Sequence, residues 1–125
     1  MLPLESKILL VEDFESLMAV QTNILNQLGY KNVSGAVDGK QAFELLEAKA
    51  GEIDCIISDW NMPVMDGLEL LKKVRADERF KDLPFLMLTS ETEKKGILNA
   101  IECGVTNYIV KPATAEVLQD KLGKL

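Results

Sequence analysis

The sequence predicts an α/β fold in which a five-stranded parallel sheet and five helices form a three-layer sandwich. Short apolar segments rich in Val, Ile and Leu alternate five times with longer amphipathic segments. Parallel strands need crossover connections of one hand, so the helices must cover both faces of the sheet. A length of 125 residues with 47% apolar side chains suits one domain with one sheet. We therefore predict a single domain over residues 1–125.

Two apolar patterns define the first strand and helix. Residues 7–12 are a short apolar run, which is typical of a strand buried in a parallel sheet. Residues 14–28 carry apolar side chains at helical spacing, and Gly29 follows where helices commonly end in a left-handed residue. The inward face of this helix is predicted to consist of Leu17, Ile24, Leu25 and Leu28.

The second unit and the central strand follow the same alternation. Residues 33–37 are a weaker strand, and residues 40–50 are a helix that Gly51 ends. Residues 53–58 are apolar and β-branched and lead directly into Asp59, which predicts the central strand. The second helix is predicted to turn Phe43 and Leu46 inward, with Leu45 as a further candidate.

The second half of the chain completes the sheet. Asp66 and Gly67 begin a third helix, and this Asp-Gly pair indicates a turn and a cap, not a ligand. A fourth strand at 84–90, a fourth helix at 92–102 and a fifth strand at 107–110 follow. The inward residues of the third and last helices are predicted to be Leu68, Leu71, Val74, Val117, Leu118 and Leu122.

The charge pattern and residue usage exclude several classes of protein. A net charge of −6 with scattered lysines argues against nucleic-acid binding. The sequence has no long apolar run and no signal-like start, so we expect no membrane insertion and a cytoplasmic location. The chain has no histidine, which removes Ser-His and Cys-His pairs and the usual zinc sites. Cys55 and Cys103 lie in apolar segments and indicate buried thiols without a chemical role.

Charged and hydroxyl side chains stand at the carboxyl ends of four predicted strands. These are Glu12 and Asp13, Asp59, Thr89 and Ser90, and Lys111. In open α/β sheets the ligand crevice lies beyond this rim, so we expect these residues to share one crevice. Three carboxylates there would repel one another, by about 4 kcal/mol per close pair, unless a cation offsets their charge.

Magnesium is the cation that best fits this set of ligands. Mg²⁺ prefers one or two carboxylates together with waters and phosphate oxygens. With such an ion present, Asp59 is the candidate nucleophile toward phosphorus, Lys111 the candidate charge partner and Thr89 the candidate hydroxyl. Taken singly, each residue has a simpler reading: Asp13 as a helix N-cap, Asp59 as a turn cap, Thr89 as a strand residue and Lys111 as a solvated amine.

Together these residues resemble the receiver domains of two-component response regulators. The resemblance rests on Glu12-Asp13, the Ser-Asp-Trp-Asn-Met-Pro run within residues 57–72, Thr89, Tyr108 and Lys111-Pro112, and it covers essentially the whole chain. Within that family the chain looks most like the single-domain chemotaxis (CheY-like) regulators. The resemblance implies the flavodoxin-like strand order 2-1-3-4-5.

The resemblance also implies roles for the rim residues. Asp59 would accept a phosphoryl group, and Lys111 would pair with that group. Mg²⁺ would be held by Asp13, Asp59 and the backbone carbonyl of Asn61, and by Glu12 through water. Thr89 and Tyr108 would form the switch that carries the change to the surface, and the Lys111-Pro112 bond would be cis. Asn61 and Glu91 match positions that tune dephosphorylation in the family.

The implied function is that of a signalling protein that takes part in its own phosphorylation and dephosphorylation, and not that of an ordinary enzyme. A histidine kinase would donate the phosphoryl group. A downstream target, for which the flagellar motor switch is the first candidate, and a phosphatase would complete the set of partners of a monomeric regulator. The expected partner surface comprises Ile97, Tyr108, Val110, Ala113, Val117 and Lys121. The alternative is that Ile97, Val110 and Val117 are core residues and that Tyr108 only packs against a helix.

Two departures from the chemotaxis pattern keep other readings open. Glu12 stands in place of the usual aspartate, and Ala113 stands where a large aromatic residue is common, so a stand-alone receiver in another phosphorelay is the alternative. A dehalogenase-type hydrolase would need a second aspartate where Asn61 stands. A degenerate receiver that works without phosphorylation is disfavoured by the intact rim, and a flavin site is disfavoured by the acidic turn at 12–15.

Overall fold

The computed structural model describes residues 2–90 and 94–125, with the backbone alone for residues 94 and 95. Strands and helices alternate along the described chain. The strands are β1 (Lys7–Val11), β2 (Asn32–Ala36), β3 (Cys55–Asp59), β4 (Phe85–Thr89) and β5 (Asn107–Val110). The helices are α1 (Glu15–Gln27), α2 (Gly39–Ala48), α3 (Gly67–Ala76), α4 (Lys94–Glu102) and α5 (Ala115–Gly123). Residues 92 and 93 of the predicted fourth helix lie outside the described residues.

The sheet has the predicted order, β2-β1-β3-β4-β5, and every pairing in it is parallel. β3 lies at the centre, and Asp59 is its last residue, paired with Leu88 of β4. The prediction began this strand at residue 53 and ended it at 58, two residues early and one residue short. Ladder hydrogen bonds explain the difference, because Asp59 still has a partner strand whereas residues 53 and 54 precede the paired segment.

Side chains alternate between the two faces of the sheet and build two cores. Leu9 and Val11 of β1 face the α2/α3 core, whereas Ile8 and Leu10 face the α1/α5 core, as a two-residue period requires. All four are fully buried, and each contributes about 1.5–3 kcal/mol relative to an exposed side chain. The strands are therefore apolar on both faces, which explains their near-continuous runs of Val, Ile and Leu.

Two helix faces differ from their predictions. Leu17 of α1 is 39% exposed, and Gln21, only 6% exposed, occupies the inward position with Leu25. Leu17 lies about 80° around the helix from the buried Leu25, at the edge of the inward face. At the start of α1 this edge faces solvent. In α3 the prediction omitted Leu70, which is fully buried because it lies about one turn after the buried Gly67, beside Leu71 on the inward face.

Local side-chain contacts explain where the helices begin. Asp66 accepts a hydrogen bond from the Glu69 N–H (2.9 Å), and Glu69 returns one to the Asp66 N–H (3.2 Å), which forms the predicted cap of α3 as a full capping box. Asp38 caps α2 through a single hydrogen bond, which its side chain accepts from the Gln41 N–H at 2.8 Å. Gly29 ends the first helical segment with φ +107°, in agreement with the prediction.

The described helices are short. None of those in residues 2–90 and 94–125 has both the length and the apolar character that a membrane span requires.

Candidate phosphoacceptor site

Three carboxylates meet at the carboxyl end of the sheet. Oxygen atoms of Glu12, Asp13 and Asp59 all lie within 4.8 Å of one another. Glu12 and Asp13 directly follow β1, and Asp59 ends the neighbouring strand β3. Glu12 is 1% exposed and Asp59 is 5% exposed, so two of the three charges are held away from bulk water. Such a cluster is costly without a cation.

Lys111 supplies the positive charge among the described groups at this cluster. Its Nζ lies 2.9 Å from Asp59 Oδ1 and 3.7 Å from Glu12 Oε1. The backbone of Lys111 follows β5 and donates its N–H to the Thr89 carbonyl at 2.8 Å, which fixes the residue next to β4. The following peptide bond to Pro112 is cis. One ammonium and three carboxylates leave a local charge of about −2 when all are ionised.

Two carboxylate oxygens in the cluster lack hydrogen-bond donors. Within the described part of the chain, Glu12 Oε1 and Asp13 Oδ1 are buried and accept no hydrogen bond. Buried acceptors of this kind are usually satisfied, and these two point to a ligand that supplies positive charge. Hard oxygen donors at this spacing suit a small divalent cation such as Mg²⁺. The residues present therefore fit the ion that the sequence implied.

The ionised form of the Glu12 carboxyl group is disfavoured by its surroundings. Burial raises the pKa of Glu12 above its ordinary value, and the neighbouring Asp59 and Asp13 carboxylates raise it further. The Phe14 N–H, which donates to Glu12 Oε2 at 3.2 Å, and the Lys111 ammonium oppose that shift. A cation bound at the cluster would offset this cost of keeping Glu12 ionised.

The turn after β3 positions the carboxylate of Asp59. The Trp60 N–H donates to Asp59 Oδ1 at 2.9 Å, and the Gly67 N–H donates to the Trp60 carbonyl at 2.8 Å, so α3 begins directly against the site. A Cβ atom on Gly67 would lie 2.4 Å from the Asp59 carbonyl oxygen, which no backbone can accommodate without moving. Only glycine therefore lets α3 approach β3 this closely.

Asp13 does not act as the N-cap of α1. The capping position is Phe14, and no side chain caps this helix. The simpler reading of Asp13 from the sequence is therefore wrong, because its carboxylate joins the acidic cluster instead.

The remaining predicted residues lie around the cluster. Thr89 is the last residue of β4 and is fully buried. Asn61 is exposed in the turn after β3. Tyr108 of β5 is half-buried and packs against the α2/α3 core. Glu91 lies outside the described residues.

The predicted partner surface is only partly exposed. Val110 is exposed, and the half-buried members are Ile97, Tyr108, Ala113, Val117 and Lys121. Ala113 and Val117 pack against the α1/α5 core. The prediction missed Leu98 and Ile101, which are the exposed apolar residues of α4. Their three-residue spacing, offset from the buried Ala100, is the signal that could have identified them.

The loops near the site hold two further exposed apolar residues that the prediction did not consider as surface. Phe14 precedes α1 and is exposed. Val64 lies in the turn between β3 and α3, is 75% exposed and has φ +67°, a left-handed conformation that is rare for a β-branched residue.

Comparisons with known proteins agree with this geometry. A family model described as the response regulator receiver domain matches residues 8–123. The chain is 46% identical over 119 residues to chemotaxis protein CheY-3 of Vibrio cholerae, covering 95% of this chain and 90% of that protein. It superposes on the structure of CheY4 of Vibrio cholerae with a TM-score of 0.87 at 37% identity, covering 96% of this chain and 98% of the other.

A further similar structure holds a magnesium ion. It is the receiver domain of the sensor histidine kinase PA1611 from Pseudomonas aeruginosa, with the ion coordinated in its active site cleft (TM-score 0.85, 32% identity, 96% of each chain covered). The fold shared with that structure and the acidic cluster of this chain are both what one family would show. The chain belongs to the response regulator receiver domain family.

Proposed function

We propose that this protein is a phosphorylation-switched signalling regulator in which Asp59 accepts a phosphoryl group from a histidine kinase. The observation that carries this proposal is the ion pair of Asp59 with Lys111 inside a cluster of acids in which two buried oxygens accept no hydrogen bond. The protein is thus a substrate and regulator, and its own residues assist the transfer. Its likeness to chemotaxis proteins supports a role in chemotaxis or motor control.

Asp59 is oriented for attack by contacts to one of its two oxygens. Lys111 Nζ and the Trp60 N–H both lie 2.9 Å from Oδ1. We assign the attack on phosphorus to Oδ2. The new O–P bond forms as the bond from phosphorus to the donor breaks, and the electron pair of that bond leaves with the donor. Lys111 then stabilises charge on the transferred group, and Thr89 offers a hydroxyl at the end of the adjacent strand.

The residues that would hold Mg²⁺ are the Glu12, Asp13 and Asp59 carboxylates and the Asn61 backbone carbonyl. When bound, the ion supplies the positive charge that three carboxylates and a phosphoryl group require. Glu12 is already bonded through Oε2 to the Phe14 N–H, which leaves Oε1 as its oxygen toward the ion or a bound water.

The signal is proposed to leave through Thr89, Tyr108 and the face formed by α4, β5 and α5. A phosphoryl group adds about −1.5 to −2 charges and three acceptor oxygens next to Lys111. The Lys111 N–H is bonded to the Thr89 carbonyl, so the ends of β4 and β5 respond together. If the phosphoryl group makes contacts in only one of two conformations of the protein, the free energy of those contacts shifts the population toward that conformation.

The apolar positions of this face fit a protein partner. Leu98, Ile101 and Val110 are exposed, and the residues Ile97, Ala113, Val117 and Lys121 of the predicted partner surface are half-buried. We propose a downstream target bound here by a monomeric, cytoplasmic regulator, with the flagellar motor switch as the first candidate and a phosphatase as a further partner.

Phosphorylation by acetyl phosphate tests the chemistry. With Mg²⁺ present, intact mass spectrometry should detect one acid-stable, base-labile phosphoryl adduct, and chelation of the metal should prevent it. Asp59→Asn should abolish the adduct. Asp54→Asn is the matched control, because Asp54 is an exposed aspartate just before the same strand, and it should leave the adduct unchanged. An undiminished adduct in the Asp59 variant would contradict the proposal.

A beryllofluoride complex of the protein tests the output. Candidate targets should be retained more strongly by the complex than by the untreated protein, and Val110→Glu should weaken retention without reducing phosphorylation. If targets were retained equally by the beryllofluoride complex and by the untreated protein, phosphorylation would not control partner binding, and this part of the proposal would be wrong.

A further inference from the structure

A recess lies at the end of the sheet opposite to the phosphoacceptor site. It has a volume of about 320 Å³. Its lining comes from the first residues of β1 and β2, from the end of α2 and from the segment before β3, and includes Lys7, Lys31, Lys49 and Glu52. This volume falls at the lower end of the range for small-molecule sites.

The charge of the recess is opposite to that of the whole protein. Three lysine ammonium groups and one glutamate carboxylate line it, which leaves about two positive charges when all are ionised. The chain as a whole carries −6. A local positive site on an acidic protein attracts anions selectively to that place.

The three lysines are held by weak or exchangeable partners. Lys7 Nζ lies 3.2 Å from Glu52 Oε1, in an ion pair whose side chains are about half exposed. Lys49 Nζ lies 3.4 Å from Ser34 Oγ, and Lys31 Nζ donates to the Asn26 carbonyl at 2.9 Å. Exposed contacts of this kind contribute little to stability, so the ammonium groups can turn to a stronger acceptor.

The lining also offers neutral hydrogen-bonding groups and an apolar wall. Asn32 and Ser34 lie on β2, the edge strand of the sheet, and Ile53 supplies apolar surface. Outside the lining, the Asp54 carboxylate accepts a hydrogen bond from the Lys7 backbone N–H at 2.8 Å. That contact holds the Asp54 carboxylate at the backbone of β1.

The recess and the phosphoacceptor site are separate. Lys7 begins β1 and Val11 ends it, so the two ends of this strand are ~13 Å apart at the usual rise per residue. A ligand of the size of the recess therefore contacts one end of the sheet only.

We propose that this recess binds a small soluble molecule that carries two linked phosphate groups. Three point charges from three separate segments of the chain suit an anion with several oxygens better than they suit a single carboxylate. The recess is large enough for a diphosphate group and a small substituent on it. The overall negative charge of the protein disfavours an anionic membrane surface as the source of the phosphate groups. This inference does not depend on phosphorylation at Asp59.

Inorganic pyrophosphate is the probe, and amide chemical shifts are the readout. In magnesium-free buffer at fixed ionic strength, pyrophosphate should cause saturable shifts of Asn32, Ser34 and Ile53, with weaker binding of inorganic phosphate. Lys49→Gln should weaken binding about fivefold and Glu52→Gln should strengthen it by a similar factor, as expected for one unit charge near a multivalent anion.

The exposed pair Lys81–Glu78 supplies matched controls. Its Nζ and Oε2 atoms are 3.1 Å apart, and it lies outside the lining of the recess. Lys81→Gln and Glu78→Gln should leave the affinity unchanged. The proposal is overturned if pyrophosphate shifts only the amide signals of residues near Asp59, or if the Lys81 and Glu78 variants change the affinity as much as the Lys49 and Glu52 variants do. It is also overturned if the protein sediments with phosphatidic acid vesicles but shows no saturable shifts with pyrophosphate.

Discussion

Glu12→Gln should make the metal-free protein more stable at neutral pH. Within the cluster, Glu12 has two carboxylates within 4.8 Å and an ammonium group 3.7 Å away. At an effective dielectric near 20, the two carboxylates repel it by about 7 kcal/mol together, and the ammonium attracts it by about 4.5 kcal/mol. The hydrogen bond from the Phe14 N–H to this side chain weakens by about 0.5 kcal/mol when the charged carboxylate is replaced by a neutral amide. These terms alone give a gain in unfolding free energy of about 2 kcal/mol, and the relief from burying an ionised carboxylate adds to it.

The pH dependence of this gain follows from the direction of the pKa shift. The pKa of Glu12 is raised in the folded state, mainly by burial. Ionisation of Glu12 is therefore harder in the folded protein than in the unfolded chain, and the wild type loses stability relative to the variant as pH rises through this range. The gain should be larger at pH 7.5 than under acidic conditions, and it should be lost as the pH falls below the ordinary glutamate pKa of 4.5, where Glu12 becomes protonated in both states.

Urea denaturation in EDTA at several pH values measures this difference. Glu44→Gln is the control, because Glu44 is an exposed glutamate on α2, and it should change stability by less than about 0.5 kcal/mol at every pH. A destabilised Glu12 variant at pH 7.5, or a gain that does not depend on pH, would refute the electrostatic account of the cluster.

Three further predictions concern the metal, the β3–α3 junction and its turn. Mg²⁺ at ten times its Kd should raise the unfolding free energy by about 1.4 kcal/mol, and thermal scans of Asp13→Asn should show a much smaller effect. Gly67→Ala should cost about 3 kcal/mol or more, because the new Cβ meets the Asp59 carbonyl at 2.4 Å, whereas Gly123→Ala, with nothing within 4 Å, should be neutral or slightly stabilising in the same urea titration. Val64→Asn should stabilise the protein by up to about 1 kcal/mol, since φ +67° suits asparagine better than valine, and an unchanged or lower denaturation midpoint would argue against strain there.

The sequence was sufficient for the fold because each strand is apolar on both faces and each helix has a distinct inward stripe. The observed ends of strands and faces of helices differed from the predicted ones where contacts with other elements determine them. Asp59 reads as a residue after the strand, yet it still pairs with Leu88. Leu17 reads as a core residue, yet it lies at the solvent margin of α1, where the buried position is taken by a glutamine that no hydrophobicity pattern would select.

The candidate site was predictable as a set of residues but not as a set of contacts. Strand ends alone bring Glu12, Asp13 and Asp59 to one rim, because parallel strands end together. The ion pair between Lys111 and Asp59 and the donation from Phe14 to Glu12 depend on loop geometry that the sequence does not specify.

The burial of the cysteines was predicted correctly at one of two positions. Cys55 is fully buried in its apolar strand, and burial raises the pKa of its thiol to about 12. Cys103, which directly follows α4, is only half-buried.

Locating the phosphoryl group on one aspartate tests the central claim most directly. Borohydride reduces an aspartyl phosphate to a homoserine residue with loss of phosphate, and tryptic digestion then yields a peptide spanning residues 50–72, which contains Asp54, Asp59 and Asp66. After treatment with acetyl phosphate and Mg²⁺, fragmentation of this peptide should place homoserine at position 59 alone. Homoserine at 54 or 66, or its absence from the peptide despite a phosphoryl adduct on the intact protein, would contradict the assignment of Asp59 as the phosphoacceptor.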